Sequence, residues 1–141
     1  MVDKSLVEEM RAKINSGATE ANADDALKSF ELIKQISKEV DYLKGDVEES
    51  DYTCQIIFTD LDKGYWIKVS KGDVTYDEGK LDNPSIKISC SKDIGLGMLF
   101  GEVDPNILSP LGKLKVEGKF KHFRSFQELY EDVLDEFKKR Y

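Results

Sequence analysis

The chain has 141 residues, 40% hydrophobic and 35% charged, with 28 acidic against 21 basic side chains and a formal net charge of -7. That length suits one ordinary domain burying roughly two-thirds of its unfolded surface, and leaves little room for a second core. A pI near 4.8 argues against nucleic acid as a partner, because phosphate binding draws on a basic footprint the chain lacks overall.

No apolar run approaches the roughly 18 residues needed to span a bilayer, and the opening "MVDKSLVEEM" has no apolar segment of the signal-peptide kind. A soluble, cytoplasmic protein is the default expectation. Ser5 followed by Glu8 reads as a capping box, after which Val7, Met10 and Ile14 share one helical face up to Gly17. The polar stretch "SGATEANADD" is a connection, with Asn22 or Asp24 placed to cap a second helix. Phe30, Ile33, Ile36, Val40 and Leu43 recur along it at three- and four-residue steps, and Gly45 is its expected end.

The period then changes to two. Tyr52, Cys54, Ile56 and Phe58 alternate in one strand, and Tyr65, Ile67 and Val69 in the next, with "DLDKG" between them as a hairpin turn. A third strand lies around "VTY", and Asn83-Pro84 opens a fourth in which Ile86, Ile88 and Cys90 alternate with Lys87 and Ser89. Such alternation marks an antiparallel sheet with one wet face. Ser91 caps a helix over "KDIGLGMLFGE", where Gly95 and Gly97 each weaken the helix by up to about 1 kcal/mol relative to Ala. Close backbone approach or a locally irregular helix would each account for them. Asp104-Pro105 starts one further turn carrying Ile107 and Leu108, Pro110 stops it, and "KLKVE" is a fifth strand with Leu114 and Val116 inward. A closing helix carries Phe123, Phe126, Leu129 or Tyr130, Val133 and Phe137 along one stripe, and Ser125 with Glu128 marks a point where a fresh helix could begin. The order of elements is α+β.

Catalytic machinery is sparse. His122 is the one histidine, which excludes paired-histidine metal sites, and no serine or cysteine stands in a nucleophile motif. Neither phosphate-loop nor dinucleotide fingerprint is present, so no cofactor, metal or catalytic residue is expected. Cys54 and Cys90 form no C-x-x-C pair and fall on apolar strand phases, as buried thiols do; sequence leaves open whether they pair with each other. Between residues 113 and 124 the cations Lys113, Lys115, Lys119, Lys121 and Arg124 face the single acid Glu117. A solvated strand face whose lysines discourage edge pairing is the simpler reading, and transient contact with an anionic membrane surface or a nucleic-acid backbone is the other.

The stretch "GEVDPNILSPLGKLKVEG", Gly101 to Gly118, following a helix of the "DIGLGMLFG" kind, resembles the closing half of the sterol carrier protein-2 family. The resemblance covers about residues 24 to 137, which sets 1–23 apart as an N-terminal helix and connection ahead of a domain at 24–141. It implies a five-stranded, mostly antiparallel sheet covered on one face by helices, with an apolar tunnel between them for a fatty acyl, sterol-like or isoprenoid lipid. Trp66, Met98, Leu99, Phe100, Ile107, Leu108, Leu111, Phe120, Phe123 and Phe126 are then the expected tunnel lining, and function is non-catalytic binding or carriage by burial of methylenes. Phe120, Phe123 and Phe126 stand where smaller side chains are expected in the family, and fill a tunnel as easily as line it. An assembly or protein-interaction module with a filled cavity is therefore the alternative, and an enzyme acting on lipid or acyl thioesters a third. The terminus "FKKRY" lacks the S-K-L type of peroxisomal signal.

Overall fold

In the computed structural model, which describes residues 2–141, helices α1 (Lys4–Ser16), α2 (Asp25–Glu39) and α3 (Asp41–Glu49) precede strands β1 (Asp51–Phe58), β2 (Lys63–Ser70), β3 (Asp73–Glu78) and β4 (Ile86–Cys90). Helix α4 (Lys92–Leu99), the single turn α5 (Pro105–Leu108), strand β5 (Leu114–Gly118) and helix α6 (Phe120–Arg140) complete it. The sheet order is β3-β2-β1-β4-β5. Only β1 and β4 run parallel; the other three pairings are antiparallel.

Register places Tyr52, Cys54, Ile56 and Phe58 beside Val69, Ile67, Tyr65 and, on the other side, Ile86, Ile88 and Cys90. All of these are buried, and helices α2, α3, α4 and α6 pack on that face. Cys54 and Cys90 are both free thiols. The opposite face carries Thr53, Trp66, Lys68, Thr75 and Lys115 and is mostly open. Because β3 and β4 lie on opposite sides of the β2–β1 pair, the chain between them must cross the sheet, and residues 79–85 do so over the open face. Gln55 anchors this strap. Its amide nitrogen donates to the carbonyls of Gly79 (2.9 Å) and Tyr65 (3.0 Å), and its carbonyl accepts from the Leu81 amide, leaving a polar side chain only 1% exposed. The β2–β3 turn holds Lys71 and Gly72 at φ +49° and +97°, the two-residue geometry that matches strand twist.

Three local details differ from the expectations. Asp3 caps α1, its carboxylate accepting from the Ser5 amide at 2.9 Å, so the helix begins ahead of Ser5. The second helix does not run straight to Gly45: Val40 adopts an extended conformation, its carbonyl accepts the Lys44 amide at 2.9 Å, and α3 continues through Gly45 to Glu49. The buried series Ile36, Val40, Leu43, Val47 keeps its spacing through the bend, which is why periodicity reads one helix. Conversely, α6 is continuous, and the Ser125 hydroxyl bonds back to the Lys121 carbonyl at 3.0 Å instead of starting a helix.

Helix α1 joins the helical layer by burying Leu6, Val7 and Met10, and Lys13 reaches the buried Asp25 carboxylate at 3.1 Å. Lys92, at the start of α4, donates to the carbonyls of Ala18, Thr19 and Ala21 and holds the turn after α1 against it. No described helix is long and apolar enough to cross a membrane.

Candidate functional site

The space between sheet and helices is occupied by large side chains. Phe30 from α2, Phe58 and Tyr65 from the sheet, Phe100 after α4, and Phe126 and Tyr130 from α6 are each fully buried. Met98, Leu99 and Phe123 join them, so five of the sequence-nominated positions, counting Phe100 and Phe126, share this interior. Leu108 is half-buried at its margin. Ile107, Leu111 and Phe120 are instead 61%, 64% and 67% exposed, and Trp66 is half-buried on the opposite sheet face beside Gly79.

Within the helical layer one small void remains, about 10 Å³, walled by Met10, Leu32 and Leu99 together with Ser29, Tyr130 and Leu134. Among the described residues the buried hydroxyls of Ser29, Tyr130 and, on the sheet, Tyr52 have no hydrogen-bond partner. A void of that size suits one water, and a buried hydroxyl left unpaired costs about 1–3 kcal/mol. Outside it lies a cleft of about 390 Å³ between the α4–α5 connection and α6, edged by the carboxylates of Glu102, Asp104, Glu131 and Asp135. Tyr130 and Leu134 line both spaces, so the small void and a cleft of ligand size share these two side chains. Sequence reasoning missed Ser29 and Tyr130. Ser29 was findable, as a polar residue on the same helical stripe as Ala26, Phe30 and Ile33; Tyr130 was read only as part of an apolar stripe.

The thiols of this interior are poor nucleophiles. Burial pushes the Cys54 thiol well up and the Cys90 thiol to about 12. His122, its ring 6.1 Å from that of Tyr52, is held below its ordinary value by burial and by Lys121 and Lys119. Among the described residues no three His, Cys, Asp or Glu side chains converge as metal ligands.

No protein-family model and no curated protein matches this chain. Solved structures do. The chain is similar to the UbiJ-SCP2 ubiquinone synthesis protein (TM-score 0.59, 12% identity, 72% of this chain and 84% of that one). It is similar to sterol carrier protein 2 from Yarrowia lipolytica in its apo form (TM-score 0.57, 16% identity, 75% and 89%). It also matches the inverting sec-alkylsulfatase Pisa1 from Pseudomonas sp. (TM-score 0.54, 14% identity), where 90% of this chain spans only 30% of the enzyme. A five-stranded mixed sheet in the order found here, one face under helices, with two sterol carrier-type domains matched over most of their length, establishes that this chain has the sterol carrier protein-2-like fold.

Proposed function

We propose that the protein binds and carries a lipid, without a covalent step, in the interior behind Tyr130 and Leu134. The observation that carries this reading is the fold, since two of the structures it matches over most of their length are a sterol carrier protein and a UbiJ-SCP2 protein. Supporting it locally, the buried hydroxyls of Ser29, Tyr52 and Tyr130 stand unpaired among the described residues, available to hydrogen-bond a polar group of a ligand. An acyl or isoprenoid chain enters by displacing the Tyr130–Leu134 wall, and each methylene removed from water contributes about 0.8 kcal/mol. The Cys54 thiol, held protonated by burial, offers no thiolate nucleophile to such a ligand.

A second reading is favoured by one observation, the void of only about 10 Å³. If the interior is permanently filled, the fold serves as an interaction module. Native mass spectrometry of detergent-free protein, before and after denaturation, separates the two. An adduct of lipid mass that is lost on denaturation is the expected result. A clean apo mass that persists after incubation with fatty acids, acyl thioesters and isoprenoid lipids overturns carriage and leaves the interaction module.

A further inference from the structure

Among the described residues five large apolar side chains are exposed: Tyr42, Leu61, Ile107, Leu111 and Phe120. The last three belong to one margin of the molecule. Strand β5 pairs only with β4, so its other side is a free edge of the sheet. Ile107, on α5, and Leu111 precede the strand, and Phe120 follows it at the first position of α6; the strand's length separates the two ends by roughly 15 Å. Val116 and Leu108, both half-buried, pack on the core behind them. Asn106 of α5 bonds Gln127 of α6 at 3.2 Å, which holds the turn against the helix and keeps this margin in one piece. Phe120 is the outermost of its row, its ring centroid 6.4 Å from that of the buried Phe123.

The charge around this margin is opposite to that of the chain as a whole. Lys113, Lys115, Lys119, Lys121 and Arg124 surround it, whereas the protein's net charge is -7. Lys115 pairs with Glu117 at 2.8 Å and Arg124 with Glu128 at 3.5 Å, while Lys113, Lys119 and Lys121 make no ion pair among the described residues. Acids near the patch are Asp51, beside His122, and on the cleft behind α5 the carboxylates of Glu102, Asp104 and Glu131, of which Asp104 accepts from the Asn106 amide at 2.9 Å and Glu131 from the Gln127 side chain at 3.0 Å. Exposed aliphatic and aromatic tips framed by unpaired lysines complement a surface that is apolar beneath and anionic at its face. A second copy of this chain seated on the same patch would bring like charges together, Lys113, Lys119 and Lys121 of each copy facing those of the other.

We infer that the β5 edge docks on an anionic lipid membrane, with Ile107, Leu111 and Phe120 entering the interface and Lys113, Lys119 and Lys121 meeting the headgroups. This goes beyond carriage of a lipid in the interior, and does not depend on it. The test is co-sedimentation of the full chain with phosphatidylcholine vesicles, with and without phosphatidylglycerol, at low and high salt. Expected is binding to the anionic vesicles alone, weakened by salt. K119E/K121E should weaken it by about 10-fold or more, and I107S/L111S/F120S should abolish it with an unchanged circular dichroism spectrum. Failure to bind anionic vesicles overturns the inference, as does binding that both variants retain. Concentration-dependent self-association that the apolar variant removes, without vesicle binding, also overturns it and assigns the edge to a second copy. Because native mass spectrometry reads the interior separately, loss of either proposal leaves the other standing or falling on its own result.

Discussion

Gly95 of α4 lies against the ring of Phe58 in β1 so closely that a Cβ at position 95 would stand 2.4 Å from the ring's Cε1 and 3.2 Å from the Cys90 sulfur. The helix can rest on the sheet there only because the side chain is missing. Two residues on, Gly97 has its nearest neighbour, a Val103 methyl, at an ordinary 3.5 Å. The two glycines of "GLG" therefore differ in kind. Gly95→Ala should destabilise by about 2 kcal/mol or more through overpacking, whereas Gly97→Ala should be neutral or stabilising by up to about 1 kcal/mol through helix propensity. Urea unfolding of both variants checks this, and equal midpoints would show that the Phe58 contact does not set the helix position.

Gln55 offers a second check. Gln55→Leu keeps roughly the same volume but strands the Leu81 amide and the Gly79 carbonyl beneath the strap, at a cost of about 2 kcal/mol. Amide exchange at Leu81 should accelerate well beyond the global change. Exchange that rises no more than at core amides would mean the strap is held by other contacts, such as the Thr53–Ser85 pair, in which each amide donates to the other's hydroxyl at 2.9–3.0 Å.

What was legible follows from which residues obey a simple period. Alternation in "YTCQIIF" and "IKISC" gave the strands and their buried face, and Asp104-Pro105 gave the α5 turn, because in each case backbone chemistry and burial act on neighbouring residues. The strap was illegible: Gln55 sits on the wet phase of its strand, and only the crossover from β3 to β4 covers it. The Val40 bend was hidden because its side chain stays on the buried stripe. Nothing in spacing distinguished the exposed Ile107, Leu111 and Phe120 from the buried Met98 and Phe126, since apolar pattern reports which residues can be buried and not which ones are.

The tyrosines make stability depend on alkaline pH. Burial holds the phenols of Tyr52 and Tyr130 above their ordinary value of 10.0. Burial first, and then donation to the carboxylates of Asp24 and Glu31, does the same for Tyr65 and Tyr76. In the unfolded chain they ionise near 10, while in the fold they stay protonated. Above that pH the unfolded state therefore binds fewer protons, and stability present below about pH 10 is lost as pH rises further. Urea midpoints should be level up to about pH 9 and fall steeply above about pH 10, with a shallower fall in Tyr52→Phe. A profile flat into that range, or tyrosinate absorbance before unfolding beyond that of Tyr42 and Tyr141, would count against these phenols being held neutral by the fold.

The single parallel pairing has a kinetic consequence. Strands β1, β2 and β3 are consecutive hairpins that local contacts can assemble, but β4 reaches β1 only after the chain has doubled back over the sheet. Closing that long loop costs conformational entropy before pairing repays it. The meander is thus expected to form early, and the arrival of β4, bringing α4 and β5 with it, to pace refolding. Ile88→Val in β4 should then slow refolding, whereas Val74→Ala in β3 should act chiefly on unfolding only if the meander is late, an outcome that would reverse the order.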